Sequence, residues 1–376
     1  MLHWPEIAPK SPLEGATPLP LEGGRPLPPT ALEVVFERAL EWTLAHQDCF
    51  DPRHPFVQDH QLRVKPFLEL VFVLNPCLRM RLEERVPALK RLCHFIDATF
   101  ADYDFAAFAQ NDPAGLMVLA LRDEYFTITR RGGADQNSQN NDGLLERFLA
   151  SGLHERVARS RIPFRVMDLR YALDRASGRY HPETYLALYG QTVVAKGRGL
   201  SRCTTNDLYS ITHTLFYLAD LGLRPLAPML GSDTPRVTRL LEDALAMMLR
   251  QKNLDLAGEF MMCLGFLGLS ELPIVRLAWS EFQRQQLERG AVPSPTYRPE
   301  RQAALEPEAA AQYTFTQCYH TTLVTLGAAA LGSATLGLAA LSSATLGSAV
   351  LGQTHAQTTL GLEHMETKSG LKAELV

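Results

Sequence analysis

The chain has 376 residues, enough for one large domain or two ordinary ones with a sizeable core. With 46% hydrophobic and 21% charged residues it does not have the composition of a disordered chain. The formal net charge is -4 and the longest basic cluster is Lys196, Arg198 and Arg202 with glycines between them, which provides no phosphate-tracking stripe, so nucleic acid is excluded as a partner.

Residues 1–29 hold eight of the 24 prolines, with glycines at 15, 23 and 24, and show no periodic apolar face. They read as a disordered proline-rich arm. Order begins at Thr30, where Thr30 and Glu33 have the spacing of a capping box. Apolar residues then recur at helical spacing over about 65–74, 86–100, 113–128, 143–158, 164–176, 183–194, 206–221, 235–250, 254–268 and 273–288. Asp112-Pro113, His181-Pro182 and Thr234-Pro235 each put proline where a first helical turn tolerates it. The polar run 132–142 reads as a loop, and residues 291–311, with Pro293, Pro295, Pro299 and Pro307, as a linker. A last helix is expected over 312–330, packing on a helical domain of residues 30–290.

No alternating strand series is present, so the expected fold is all-α. The stretches LFYLADLGL and MMCLGFLGL end in similar stops, with Gly222 and Gly268 suited to the left-handed position after a helix. Such recurrence points to paired helices in a helical-repeat solenoid or an α/α-toroid-like bundle. Six cysteines (49, 77, 93, 203, 263 and 318) are scattered without a CxxC pair, which fits reduced thiols. With no secretion signal in the first residues, the cytoplasm is the expected compartment.

From Thr321 to Leu362 no Asp, Glu, Lys or Arg occurs, and leucine recurs at 326, 331, 336, 341, 346 and 351. The segment 331–376 is expected to be a Leu-Gly low-complexity tail. A membrane helix is a second reading of this stretch, so membrane contact by the tail is possible but not favoured. Units such as Ala334-Thr-Leu336 and Ala344-Thr-Leu346 resemble pentapeptide repeats, which implies a four-sided β-helix. The Asn or Asp usual before the leucine is missing, and the run is barely thirty residues long.

The polar residues that stand out lie on expected helices. Tyr209, His213 and Tyr217 are four apart, and Asp220 follows a turn later, while Leu208, Ile211, Leu215 and Leu218 occupy much of the remaining surface. An imidazole beside phenols and a carboxylate can act as a general acid/base; it can equally knit two helices as a buried structural group. His320, in Cys318-Tyr319-His320, opens another apolar stretch and would meet His213 only if the helices close around a common centre. Asp255, Glu259 and Cys263, spaced by four, offer metal-ligand chemistry in principle, but HExxH, HxH and CxxC are all absent. Arg165, Asp168 and Tyr171 fall near one side of another helix and could hold an anionic ligand or peptide terminus. The plainer reading of that helix is an ion-pair ladder of Arg165–Asp168 and Arg170–Asp174. The candidates are therefore His213, His320, Tyr217 and Asp220 for catalysis, and Arg165, Asp168, Tyr171 and Tyr209 for substrate binding, with no metal site and no cofactor.

The stretches RIPFRVMDLRYALD, SITHTLFYLADLG and CYHTTLV together resemble an uncharacterised bacterial family of all-helical proteins found beside genes of specialised metabolism, over about residues 30–330. The resemblance implies a helical-repeat fold and supplies no reaction. Lanthionine cyclases are α/α toroids with a Cys/Cys/His zinc centre, but their Trp-Cys and Cys-His-Gly motifs are absent. Two functions are expected as alternatives. One is an accessory or tailoring protein acting on a peptide or small anionic substrate at His213 and His320; the other is a non-catalytic helical scaffold for a peptide or protein.

Overall fold

In a computed structural model, residues 30–57, 62–111, 115–130, 143–152 and 162–332 are described, and all their regular secondary structure is helical. In chain order the helices are α1 (Ala31–Ala45), α2 (Lys65–Arg79), α3 (Leu89–Asp102), α4 (Phe105–Asn111) and α5 (Gly115–Arg130). Then come α6 (Leu144–Ala150), α7 (Pro163–Ala176), α8 (Pro182–Tyr189), α9 (Thr205–Leu218) and α10 (Ala227–Leu230). The last are α11 (Thr234–Arg250), α12 (Leu254–Phe266), α13 (Pro273–Gln285), α14 (Pro299–Ala303) and α15 (Pro307–Gly332). The arm, the 132–142 loop, the Asp112-Pro113 start and the tail beyond 332 lie outside the described residues.

Two kinds of helix follow from the apolar patterns. On α11, Val237, Leu241, Ala244, Leu245 and Met248 are buried at helical spacing and the opposite side is solvated, as in a surface helix. Every residue of α12 is buried, including Asp255 and Glu259. A helix enclosed on all sides must lie within the core. α2 packs on α5, α5 on α7, α7 on α9, α9 on α12, α12 on α15, and α15 returns to α2. Amphipathic helices back this circuit: α4 packs on α5, α11 on α12, and α1 on both α13 and α15.

The last helix is longer than expected, running 26 residues from Pro307. Its charge-free half, Thr321–Gly332, is buried on every side, which accounts for the missing charges there. Leu326 and Leu331, the first two leucines of the period-five pattern, are thus helical. α12 and α15 cross so closely that a Cβ on Gly265 would lie 2.2 Å from the Gly332 carbonyl oxygen. Nor is 291–311 a free linker. Ala291 and Val292 are buried, the Val292 N–H donates to Thr322 Oγ1 (2.9 Å), and the Ser294 N–H donates to the Gln317 carbonyl (3.1 Å).

Candidate functional site

The start of α9 is fixed by a capping box: Thr204 Oγ1 accepts from the Asp207 N–H, and Asp207 Oδ2 accepts from the Thr204 N–H (2.8 Å). This sets the register that brings Tyr209, His213 and Tyr217 to one side of the helix. His213 Nδ1 lies 3.2 Å from Asp168 Oδ1 on α7, and its Nε2 is 3.6 Å from Glu259 Oε1 on α12. His320 on α15 repeats the arrangement. Its Nδ1 is 2.8 Å from Glu69 Oε2 on α2, and its Nε2 is 3.2 Å from Asp255 Oδ1 on α12. The two carboxylates of α12, one helical turn apart, are held from α9: Tyr209 donates to Asp255 Oδ2 and Thr212 to Glu259 Oε2.

Both histidines open onto one cavity of about 250 Å³ within the helix circuit. Its polar end is formed by the two imidazoles with Glu69, Asp168 and Glu259, and by Lys65 and Arg165, whose side chains are half exposed. Lys65 lies 3.3 Å from Glu69, and Arg165 donates to Asp168 Oδ2 at 2.8 Å. Most of the remaining wall is apolar, with Phe72, Met117, Leu121, Phe216, Met262 and Val324 among its residues. Phe216 stacks on the His213 ring at 5.6 Å, and Phe164, Tyr209 and Tyr217 meet it edge-on.

Burial alone would lower the pKa of His213, but the hydrogen bond with Asp168 and the charge of Glu259 outweigh it and raise the imidazole to about 10. His320 is likewise held well above its ordinary value, its burial outweighed by Glu69 and Asp255. Burial acts to raise Asp168, Glu69 and Asp255, yet all three are lowered by their histidines, with Arg165 assisting at Asp168 and Lys65 at Glu69 and Asp255. The flanking carboxylates thus favour the protonated form of both imidazoles.

The sequence candidates divide between two places. Tyr217 lines the cavity, and its hydroxyl lies 3.4 Å from His213 Nδ1. Tyr209 supports the site indirectly, through Asp255. Asp220 and Tyr171 are elsewhere, because α9 stops at Leu218 and Asp220 and Leu221 both take positive φ (51°). Continuing the helix by eye puts Asp220 below Tyr217; the left-handed turn sends its carboxylate to Arg79 (3.2 Å), Arg175 (3.2 Å) and the Tyr171 hydroxyl (2.9 Å). Glu124 completes that network, with Arg79 at 3.3 Å, Arg175 at 3.2 Å and Asn75 Nδ2 at 3.1 Å. The plain ladder of α7 is present too, in Arg165–Asp168 and Arg170–Asp174.

Asp255, Glu259 and Cys263 do not converge as ligands. Each carboxylate faces a different histidine, and the Cys263 thiol donates to the Thr212 carbonyl (3.8 Å). Among the described residues no group of three or more His, Cys, Asp or Glu is arranged to hold a metal ion. The residue missed at the sequence level is Glu69. Its signal was present, a lone carboxylate inside the apolar run FLELVFVL.

The profile of a family described as a domain of unknown function (DUF6895) matches residues 36–330. The chain belongs to this family. The match takes in every residue lining the cavity except Leu331. No curated protein and no solved structure matches the chain. All six cysteines are free, and among the described residues no helix is long and apolar enough to cross a membrane.

Proposed function

We propose that the helix circuit is a toroid-like chamber that admits a small molecule with an apolar body and a polar head, and acts on it by proton transfer at His213. On this reading the protein is an accessory or tailoring protein of a biosynthetic route, working in the cytoplasm, where a reducing environment suits six unpaired thiols. The observation that carries the proposal is that two carboxylate-held histidines, from helices far apart in sequence, open onto one apolar-walled cavity. A cavity of about 150 Å³ takes benzene, so this one suits a ligand of about ten non-hydrogen atoms, small for a peptide. Each histidine has Nδ1 fixed on a carboxylate, which is how a catalytic imidazole is oriented to work through Nε2.

The doubly flanked imidazoles also favour a second reading, a non-catalytic scaffold in which they lock helices together. Three forms of the protein separate the readings when incubated with a small-molecule extract and followed by mass spectrometry: wild type, His213→Ala and Gly327→Leu. Gly327 lines the cavity, and a Cβ there would meet Met262 Sδ at 3.3 Å, so leucine fills the space. Compounds consumed by the wild type are expected to persist with both variants. If His213→Ala lowers only the melting temperature and leaves consumption intact, proton transfer at His213 is overturned.

A further inference from the structure

Three carboxylates in the polar end of the cavity, Glu69, Asp168 and Glu259, and a fourth, Asp255, that pairs with His320 from outside the wall, stand against four cations, Lys65, Arg165, His213 and His320. The site is neutral only while both imidazoles carry their second proton. Of these cations, the histidines are the ones whose charge depends on the neighbouring carboxylates, so a new positive charge beside them favours their neutral form.

The hydrogen bonding on α12 is incomplete. Glu259 lies in the cavity wall and is 3% exposed, and its Oε1 is 3.6 Å from His213 Nε2, beyond hydrogen-bond distance. One turn away, Asp255 is also 3% exposed, and its Oδ1 accepts no hydrogen bond although His320 Nε2 is 3.2 Å away. Two buried carboxylates thus each keep an oxygen short of a donor, next to an imidazole nitrogen that supplies charge without a formed bond. Such oxygens gain most from a group that brings both charge and several N–H donors.

We propose that the cavity selects a protonated amine with a compact apolar body, whose ammonium docks between Glu259 Oε1 and His213 Nε2 while His213 releases one proton to solvent. The inference rests on the cavity being a small-molecule chamber. Charge is conserved: one ammonium enters, one imidazolium becomes neutral, and the site stays balanced. Neutral His213 keeps its Nδ1–H on Asp168 and presents the Nε2 lone pair to the ligand, so substrate binding itself creates the base. An anionic head has no such exchange available, since it would add negative charge to four carboxylates already paired. The groups that face His213 are Asp168 and Arg165 from α7, Glu259 from α12, and Tyr209 and Tyr217 from its own helix. Those facing His320 are Glu69 and Lys65 from α2, Asp255 from α12 and the neighbouring Tyr319 ring.

The test is isothermal titration calorimetry of the full chain with three probes of one shape: 2-phenylethylamine, 2-phenylethanol and 3-phenylpropanoate. At pH 7.5 the amine is expected to bind at least tenfold more tightly than the alcohol, and the acid more weakly than either. Titrations in phosphate and in Tris, which differ in ionisation enthalpy, should show about one proton released per amine. Its affinity should rise up to tenfold per unit between pH 6 and 8.5. Glu259→Gln should remove the preference for amine over alcohol, while His213→Ala should bind the amine with no proton release. Tighter binding of the acid, or amine binding without proton release by the wild type, overturns the amine proposal and leaves the chamber standing. If none of the three probes binds, or if Gly327→Leu binds them equally well, the chamber reading falls and the amine proposal with it.

Discussion

Two ionic clusters lie among the same helices and differ in what supplies the positive charge. Around Asp220 and Glu124 the cations are Arg79 and Arg175, with further hydrogen bonds donated by the Tyr171 hydroxyl to Asp220 and by Asn75 Nδ2 to Glu124. Arginine does not lose its proton in a protein, and none of these six groups forms part of the cavity wall. The cluster is a fixed junction of α2, α5, α7 and the turn after α9. Around Glu259 and Asp168 the buried cation is the His213 imidazolium, with Arg165 reaching Asp168 from the half-exposed rim; Nε2 lies 3.6 Å from Glu259 Oε1, and the groups line the cavity. Burial and charge pairing alone do not mark a functional site, since both clusters have them. A removable proton beside unfilled space distinguishes the second.

The largest effect expected from breaking this contrast is at Arg79. Arg79→Met leaves Glu124 and Asp220 buried with one cation fewer, and should cost about 3–5 kcal/mol in urea unfolding. A loss below about 1 kcal/mol would mean that the junction does not hold the helices together.

Next comes the pH dependence set by the histidines. Both folded pKa values lie above the unfolded value, so the folded state binds more protons above about pH 6.5, for His213 up to about 10. That stabilisation is complete below the unfolded pKa and is lost as pH rises through the folded value. Unfolding free energy should therefore fall across this window by at most about 1.4 kcal/mol per pH unit for each histidine. His213→Gln should flatten its share of the slope. A pH-independent wild type would show that the imidazoles are not protonated in the folded chain.

The smallest effect belongs to Arg165 at the rim. Its side chain is half exposed, so Arg165→Gln should change stability by only about 0.5 kcal/mol. A loss approaching that of Arg79→Met would show that the rim pair is as structural as the junction.

Local patterns in the chain anticipated much of the helical layout. The expected runs at 164–176, 235–250 and 254–268 correspond closely to α7, α11 and α12, because amphipathic spacing and proline at helix starts act through nearest neighbours. Gly222 and Gly268 take the positive φ their stops suggested (89° and 75°). At Gly222 a Cβ would in addition meet Phe266 Cε1 at 2.6 Å. The short α4 and α14 were not anticipated, having too few turns to show a period.

The site was half legible. His213, Tyr217 and Asp168 stood out because polar groups on otherwise apolar helix faces carry a desolvation cost that demands a partner. The identity of the partners was not readable: Glu69 and His320 lie on the first and last helices of the circuit. Asp220 was misplaced for a local reason with a distant cause. Its left-handed conformation, costly for a residue with a Cβ, occurs in a turn whose carboxylate reaches Arg79 and Arg175, ion pairs that a helix-periodicity argument does not contain.

By itself the sequence determined that the chain is helical, where most helices begin and end, and which polar residues are out of place, since these depend on propensity, capping and period along the chain. Only the tertiary structure decided that α15 returns to α2, that His213 and His320 therefore share a cavity, and that each is held between two carboxylates. Such contacts join residues distant along the chain, and the electrostatics that set their protonation depend on distance and burial, quantities that exist only once the helices have packed.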